Sequence, residues 1–212
     1  MSLPILDQFG PKPHPMQPLV GALSIARGRV HEFCGPARVA LAALLLGQTD
    51  GPVIWINPGW QAERLYPPGL RDFADPSRII FARARRPEDL LWAMEESLRS
   101  GAAPLVVAEL MDPPALTPVR RLHLAAEAGA EAARHRRRPA PLGVLLTRER
   151  GGAAGVESRW HMAAAPTGSS LTETGLAWRL DRLRARRDPP AAWSLMRDAK
   201  GGIALEPATT DA

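Results

Sequence analysis

Between Arg29 and Thr147 the chain repeats one alternation: a short apolar run, a turn, then an amphipathic or Ala/Leu-rich stretch. Arg29–Cys34 reads as a short strand, and the runs at Pro52–Asn57, Ile79–Ala82, Leu105–Leu110 and Leu142–Thr147 are more continuously hydrophobic. Strands buried on both faces of a parallel sheet need such runs. Helices are predicted between them. Ala37–Leu46 is rich in Ala and Leu and stops at Gly47. In Pro87–Arg99 the residues Leu91, Met94, Glu95 and Leu98 recur at helical spacing, with Trp92 beside them. Pro87 suits its first turn, Glu88 and Asp89 suit the positive end of its dipole, and Arg99 and Gly101 suit its close. Pro118–Ala128 is a further amphipathic helix, while Gln61–Leu70 reads as a loop or a short helix. Leu91, Trp92 and Leu98 are expected in the core.

This grammar predicts an α/β fold, a mainly parallel sheet flanked by helices. It does not cover the whole chain. Residues 1–18 hold five prolines and no periodicity, and read as a disordered, proline-rich leader. Residues 19–150 form the α/β core. Residues 151–212 form a β-rich C-terminal extension of the same domain, with a flexible tail. Its segments are Ser158–Ala163, Ala177–Arg186, Ala192–Met196 and Gly202–Leu205, although Ala177–Arg187 also fits a helix. Gly151-Gly152 and Gly168–Thr174 read as loops.

The first strand runs into a turn and a helix, the place where a phosphate loop would sit. Such a loop needs glycines that turn backbone N–H groups to the phosphates, a lysine for their charge and a hydroxyl for magnesium. Aligning Gly35 with the first glycine puts Ala40 at the second, Leu41 at the lysine and Ala42 at the hydroxyl residue. Pro36 removes a further donor. Arg38 is the one cation nearby. The sequence therefore predicts no nucleotide hydrolysis, no catalytic residue and no cofactor. Glu109 and Asp112, at the end of a later strand, read as capping or solvent-facing acids.

Charge adds one possibility. The net charge is +5, and only Lys12 and Lys200 among the cations are lysines. Arginine excess fits a GC-rich genome as well as an acidic partner. Two groups stand out as contacts for DNA or a partner: Arg134, Arg136, Arg137 and Arg138, and then Arg182, Arg184, Arg186 and Arg187. Trp178 and Trp193 lie near the second. His31, Glu32 and Cys34 lack a further ligand for a metal site. Ser169, Ser170, His161 and Asp181 give no nucleophile spacing. With one cysteine, no apolar run of membrane-spanning length and no secretory pattern at the start, a cytoplasmic location without membrane contact is expected.

The segment LLWAMEESLRSGAAPLVVAEL (Leu90–Leu110), followed by RRLHLAAEAGA (Arg120–Ala130), resembles the ImuA family. RGRVHEF (Arg27–Phe33), the strand Val53–Ile56 with Pro58 after it, and LLTRERGG (Leu145–Gly152) extend the likeness over residues 20–205. These proteins are RecA-related, with distant kinship to the SulA division inhibitors. The resemblance implies a RecA-like fold and a non-catalytic accessory role in SOS-induced mutagenic translesion synthesis. The partners it implies are an ImuB-like relative of Y-family polymerases and an error-prone replicative-type polymerase, with RecA and single-stranded DNA as further candidates. A residual DNA-dependent ATPase and a SulA-like division inhibitor are the alternatives. The family motif supplies no catalytic residue to carry over.

Overall fold

The computed structural model describes residues 14–165, 176–198 and 200–208. The apolar runs become strands. In chain order the elements are β1 (Met16–Val20), β2 (Leu23–Ala26), β3 (Val30–Cys34), α1 (Arg38–Gly47), β4 (Val53–Pro58), α2 (Pro67–Leu70), β5 (Ile79–Ala84), α3 (Pro87–Ser100) and β6 (Leu105–Glu109). They continue with α4 (Leu116–His135), β7 (Leu142–Leu146), β8 (Ser158–Ala164), β9 (Leu176–Ala185), β10 (Ala191–Arg197) and β11 (Ile203–Pro207). Strands β3 to β11 form one sheet in the order β11-β10-β9-β8-β3-β7-β6-β4-β5. From β8 to β5 the neighbours are parallel, and from β8 to β11 they are antiparallel. The expected α/β class, with a β-rich C-terminal part, is the observed one.

Each face of the sheet has its own core. Under α1 and the β1–β2 hairpin lie Leu19, Phe33, Leu41, Leu45, Trp55, Val107, Val144 and Trp160. Under α3 and α4 lie Val30, Ile56, Met94, Leu98, Val106, Leu122 and Leu145. The two helices approach closely at Gly129, where a Cβ would stand 1.9 Å from the Leu98 carbonyl oxygen. Among the described residues no helix is long and apolar enough to cross a membrane.

The structure corrects several expectations. Strand β1 begins at Met16, inside the stretch 1–18 read as a leader, and the hairpin buries Leu19, Val20 and Ile25. Proline hid it. A two-stranded ribbon has one unpaired side on each strand, so Pro18 costs little there. Residues 1–13 and the stretch Gly168–Thr174, read as a loop in the sequence, lie outside the described residues. The segment Ala177–Arg187 is strand β9 up to Ala185, not a helix. Helix α4 continues to His135, so the basic segment begins inside it. Trp92, expected in the core, is 62 % exposed, because the buried stripe of α3 is Leu90, Met94, Glu95 and Leu98.

Two buried polar networks fasten the parallel and antiparallel halves together. Glu32 of β3 is fully buried. Its carboxylate accepts from the Thr147 hydroxyl at 2.7 Å, from the N–H groups of Gly152 and Ala153 at 2.9 and 3.1 Å, and from the Arg159 guanidinium. One side chain thus ties β3, the end of β7, the loop that follows and the start of β8. A buried charge costs several kcal/mol to desolvate and is tolerated when its lone pairs are filled in this way. The second network starts at the Trp160 indole, which donates to the Ser158 hydroxyl oxygen at 2.7 Å. His31 Nδ1 lies 2.7 Å from the same oxygen, and Nε2 lies 2.9 Å from the Ala26 carbonyl. A carbonyl only accepts, so Nε2 carries the proton and Nδ1 accepts from Ser158. Burial holds this neutral form by pushing the His31 pKa down to about 4.

Two outcomes follow for stability. Glu32→Gln strands the Arg159 charge, and urea denaturation is expected to show a loss of about 3–5 kcal/mol; a loss below about 1 kcal/mol refutes the assignment. Because the pKa of His31 is depressed on folding, the unfolded chain binds more protons between its ordinary value of 6.5 and about 4. Stability contributed by neutral His31 is therefore complete above that window and lost as pH falls through it. Between pH 7 and pH 4.5 the wild type is expected to lose about 2 kcal/mol more than a His31→Gln variant. Equal pH dependence in the two proteins contradicts it.

Candidate functional site

Strand β3 ends at Cys34, and Gly35, Pro36 and Ala37 lead into α1 at the carboxyl ends of the parallel strands. Ligands bind open α/β sheets at such a place. Gly35 has φ +89°, and a Cβ there would stand 2.5 Å from the Met162 carbonyl oxygen and 2.7 Å from the His161 ring. Glycine is required, for a reason internal to the fold: strand β8 passes directly against the turn. The first available amide is spent on that strand, since Ala37 N–H donates to Met162 O at 3.0 Å. Arg38 N–H turns back to Gly35 O at 3.3 Å, and the Arg38 guanidinium donates to the same oxygen at 3.1 Å.

The remaining positions aligned with the phosphate-loop motif pack into the core. Leu41 and Ala42 are fully buried in the core beneath α1, and Ala40 packs against it. An anion cradle needs unspent N–H groups and a cation aimed at the anion. Pro36 has no N–H, the Ala37 N–H is taken by Met162, and a leucine occupies the lysine position.

Farther along the carboxyl ends of the strands, the register pairs Arg83 of β5 with Asn57 of β4, and Glu109 follows Ala108 of β6, the partner of Ile56. Glu109 is neither a cap nor a solvated acid, as the sequence suggested. It is half-buried and accepts from the Trp55 indole N–H at 2.5 Å. Burial raises its pKa, with the indole bond and Arg38 opposing the rise. Asn57 is buried, and among the described residues its Oδ1 has no protein partner. Asp112 is exposed. This polar row was not found in the sequence, because its members come from three strands and become neighbours only through the register.

The remaining candidates are placed apart. His31, Glu32 and Cys34 each serve a different contact, and Cys34 donates to the Trp160 carbonyl at 3.4 Å. Burial, reinforced by Glu32, pushes the Cys34 thiol up to about 12. Among the described residues no group of three or more His, Cys, Asp or Glu side chains is arranged to hold a metal. His161 and Asp181 face each other on β8 and β9, 3.6 Å apart. Ser169 and Ser170 lie outside the described residues.

The fold brings both arginine groups to one edge, opposite the Gly35 turn. Helix α4 descends from the end of β6 to the start of β7, and β9 runs antiparallel to β8, so both groups close their elements at the amino ends of the parallel strands. Several members serve the fold. Arg134 pairs with Glu131, while Arg136 and Arg138 donate to the carbonyls of Ser100 and Ala102 at 3.1 and 3.2 Å. Arg182 lies over the Trp160 and Trp193 rings, 5.6 and 5.3 Å from their centroids, and Arg186 pairs with Glu157 at 3.4 Å. Arg137, Arg184 and Arg187 are exposed, and among the described residues no carboxylate lies within ion-pair distance of them.

No protein-family model matches the chain. Two curated relatives do, both named Protein ImuA and both from Caulobacter vibrioides, strains NA1000 and CB 15. Each is 32% identical over 203 residues, covering 87% of this chain and 78% of the relative. The likeness thus covers most of the chain, and on that breadth of identity the chain belongs to the ImuA family.

Proposed function

We propose that this protein is a non-catalytic accessory factor of the mutagenesis cassette, acting in SOS-induced mutagenic translesion synthesis by holding polymerase components together. The partners in this reading are an ImuB-like Y-family polymerase relative and an error-prone replicative-type polymerase. The observation that carries it is the kinship to Protein ImuA over most of the chain. The geometry at Gly35 supports its non-catalytic half. The Ala37 N–H is spent on strand β8, the Arg38 N–H turns back to Gly35, and the lysine position is core leucine.

Direct contact with single-stranded DNA is the second element of the proposal, favoured by the placement of both arginine groups on one edge. Arg137, Arg184 and Arg187 are the members with guanidinium groups to spare. Phosphate contacts of this kind are sequence-independent and weaken as salt rises.

The bridging role is tested by mixing the purified chain with the ImuB-like protein and measuring association, alongside damage-induced mutation in a deletion strain. A stable complex and a deletion strain that loses most induced mutation are expected. No association and an undiminished mutation frequency would sink the proposal.

A further inference from the structure

The two ends of the sheet differ in how they are finished. Strand β11 closes in Pro207 and carries Glu206, features that blunt an edge against further pairing. Strand β5, at the other end, pairs among the described residues only with β4, in unbroken register over Ile79–Ala84. It contains neither proline nor bulge, and its first charge is Arg83. Two neighbouring side chains in its middle are open: Ile80 is 58 % exposed and Phe81 45 %. They project to opposite faces, Ile80 toward the α3 side and Phe81 toward the α1 side, so solvent meets apolar surface above and below one free backbone edge. Helix α3, packed on this end of the sheet, adds the exposed Trp92.

The charge along this edge is one-sided. Arg78, before the strand, is consumed by the carbonyls of Leu46, Thr49 and Gly51. Arg86, after it, is paired with Glu88 and Asp89 at 3.5 and 3.1 Å. Arg83 and Arg85 remain, both exposed. Arg83 donates to the Gly59 carbonyl at 2.8 Å, and among the described residues no carboxylate is within ion-pair distance of either. Unmatched positive charge therefore sits at the carboxyl end of β5 alone.

We propose that β5 is the docking edge for an extended segment of a partner protein. Two consecutive apolar residues of that segment cover Ile80 and Phe81, and an acidic residue a few positions away pairs with Arg83 or Arg85. Main-chain hydrogen bonds to the free edge give affinity, and the side-chain pattern gives direction and choice. Two consecutive apolar residues are needed because neighbours on a strand point to opposite faces. This deepens the bridging role proposed above, on which it rests.

The test uses the full chain and the purified ImuB-like protein as probe. Ile80→Lys and Phe81→Glu, on opposite faces and both at exposed positions, are each expected to weaken association at least about tenfold while leaving the thermal midpoint unchanged. Arg85→Glu is expected to weaken it several-fold and to reduce its salt dependence. In the unmutated chain, amide exchange over residues 79–84 slows on complex formation. If the wild type binds but both apolar variants bind equally well and exchange in 79–84 is unaltered, the docking edge is overturned and the bridging role stands. If the wild type does not bind, the bridging role falls and the edge with it. Loss of self-association in the variants with intact partner binding also overturns the proposal, since it makes a second copy the occupant.

Discussion

Glu32 is a carboxylate with no access to water, placed in the middle of the sheet where the parallel half meets the antiparallel half. Its charge is sustained by one hydroxyl, two adjacent amides and one guanidinium, from the end of β7, the loop after it and the start of β8. The loop after β7 must fold back to offer its amides, and β8 must start where Arg159 can reach. Both requirements place β8 beside β3, and β9, β10 and β11 follow from it by antiparallel pairing.

The position of β8 in turn decides what the Gly35 turn can be. Because Met162 and His161 lie against Gly35, the turn is a joint between strands and not an opening. The Met162 carbonyl takes the amide that begins α1, and the apolar helix sinks Leu41 and Ala42 into the core. An electrostatic latch in the interior therefore sets the packing of strand β8 against the Gly35 turn at the rim. The surfaces left to the molecule are its edges: arginines at the amino ends of the strands, and an unblunted strand at β5.

Much of the architecture could be read directly from the residues. Continuous runs such as Val53–Ile56 and Leu105–Ala108 announce strands covered on both faces, and the proline, acids, arginine and glycine around α3 mark its ends. The absence of the phosphate-loop residues at Ala40, Leu41 and Ala42 is equally plain, because residue identity alone decides it. What escaped depends on distance through space. Glu32 and Arg159 are 127 residues apart, and nothing local marks them as partners. Arg83, Asn57 and Glu109 are brought level by register. Trp92 was misplaced because a helix with a narrow buried stripe leaves its neighbours exposed, and hydrophobicity does not say which. The arginine groups looked free in sequence, yet Arg136, Arg138, Arg182 and Arg186 hold helix ends, aromatic rings and a loop.

The claim on which this account turns is that the Gly35 turn has become a structural joint with no remaining nucleotide affinity. Equilibrium titration of the purified chain with a fluorescent ATP analogue and magnesium measures it directly. The account predicts no saturable binding up to millimolar nucleotide. Saturable binding that unlabelled ATP displaces would contradict it.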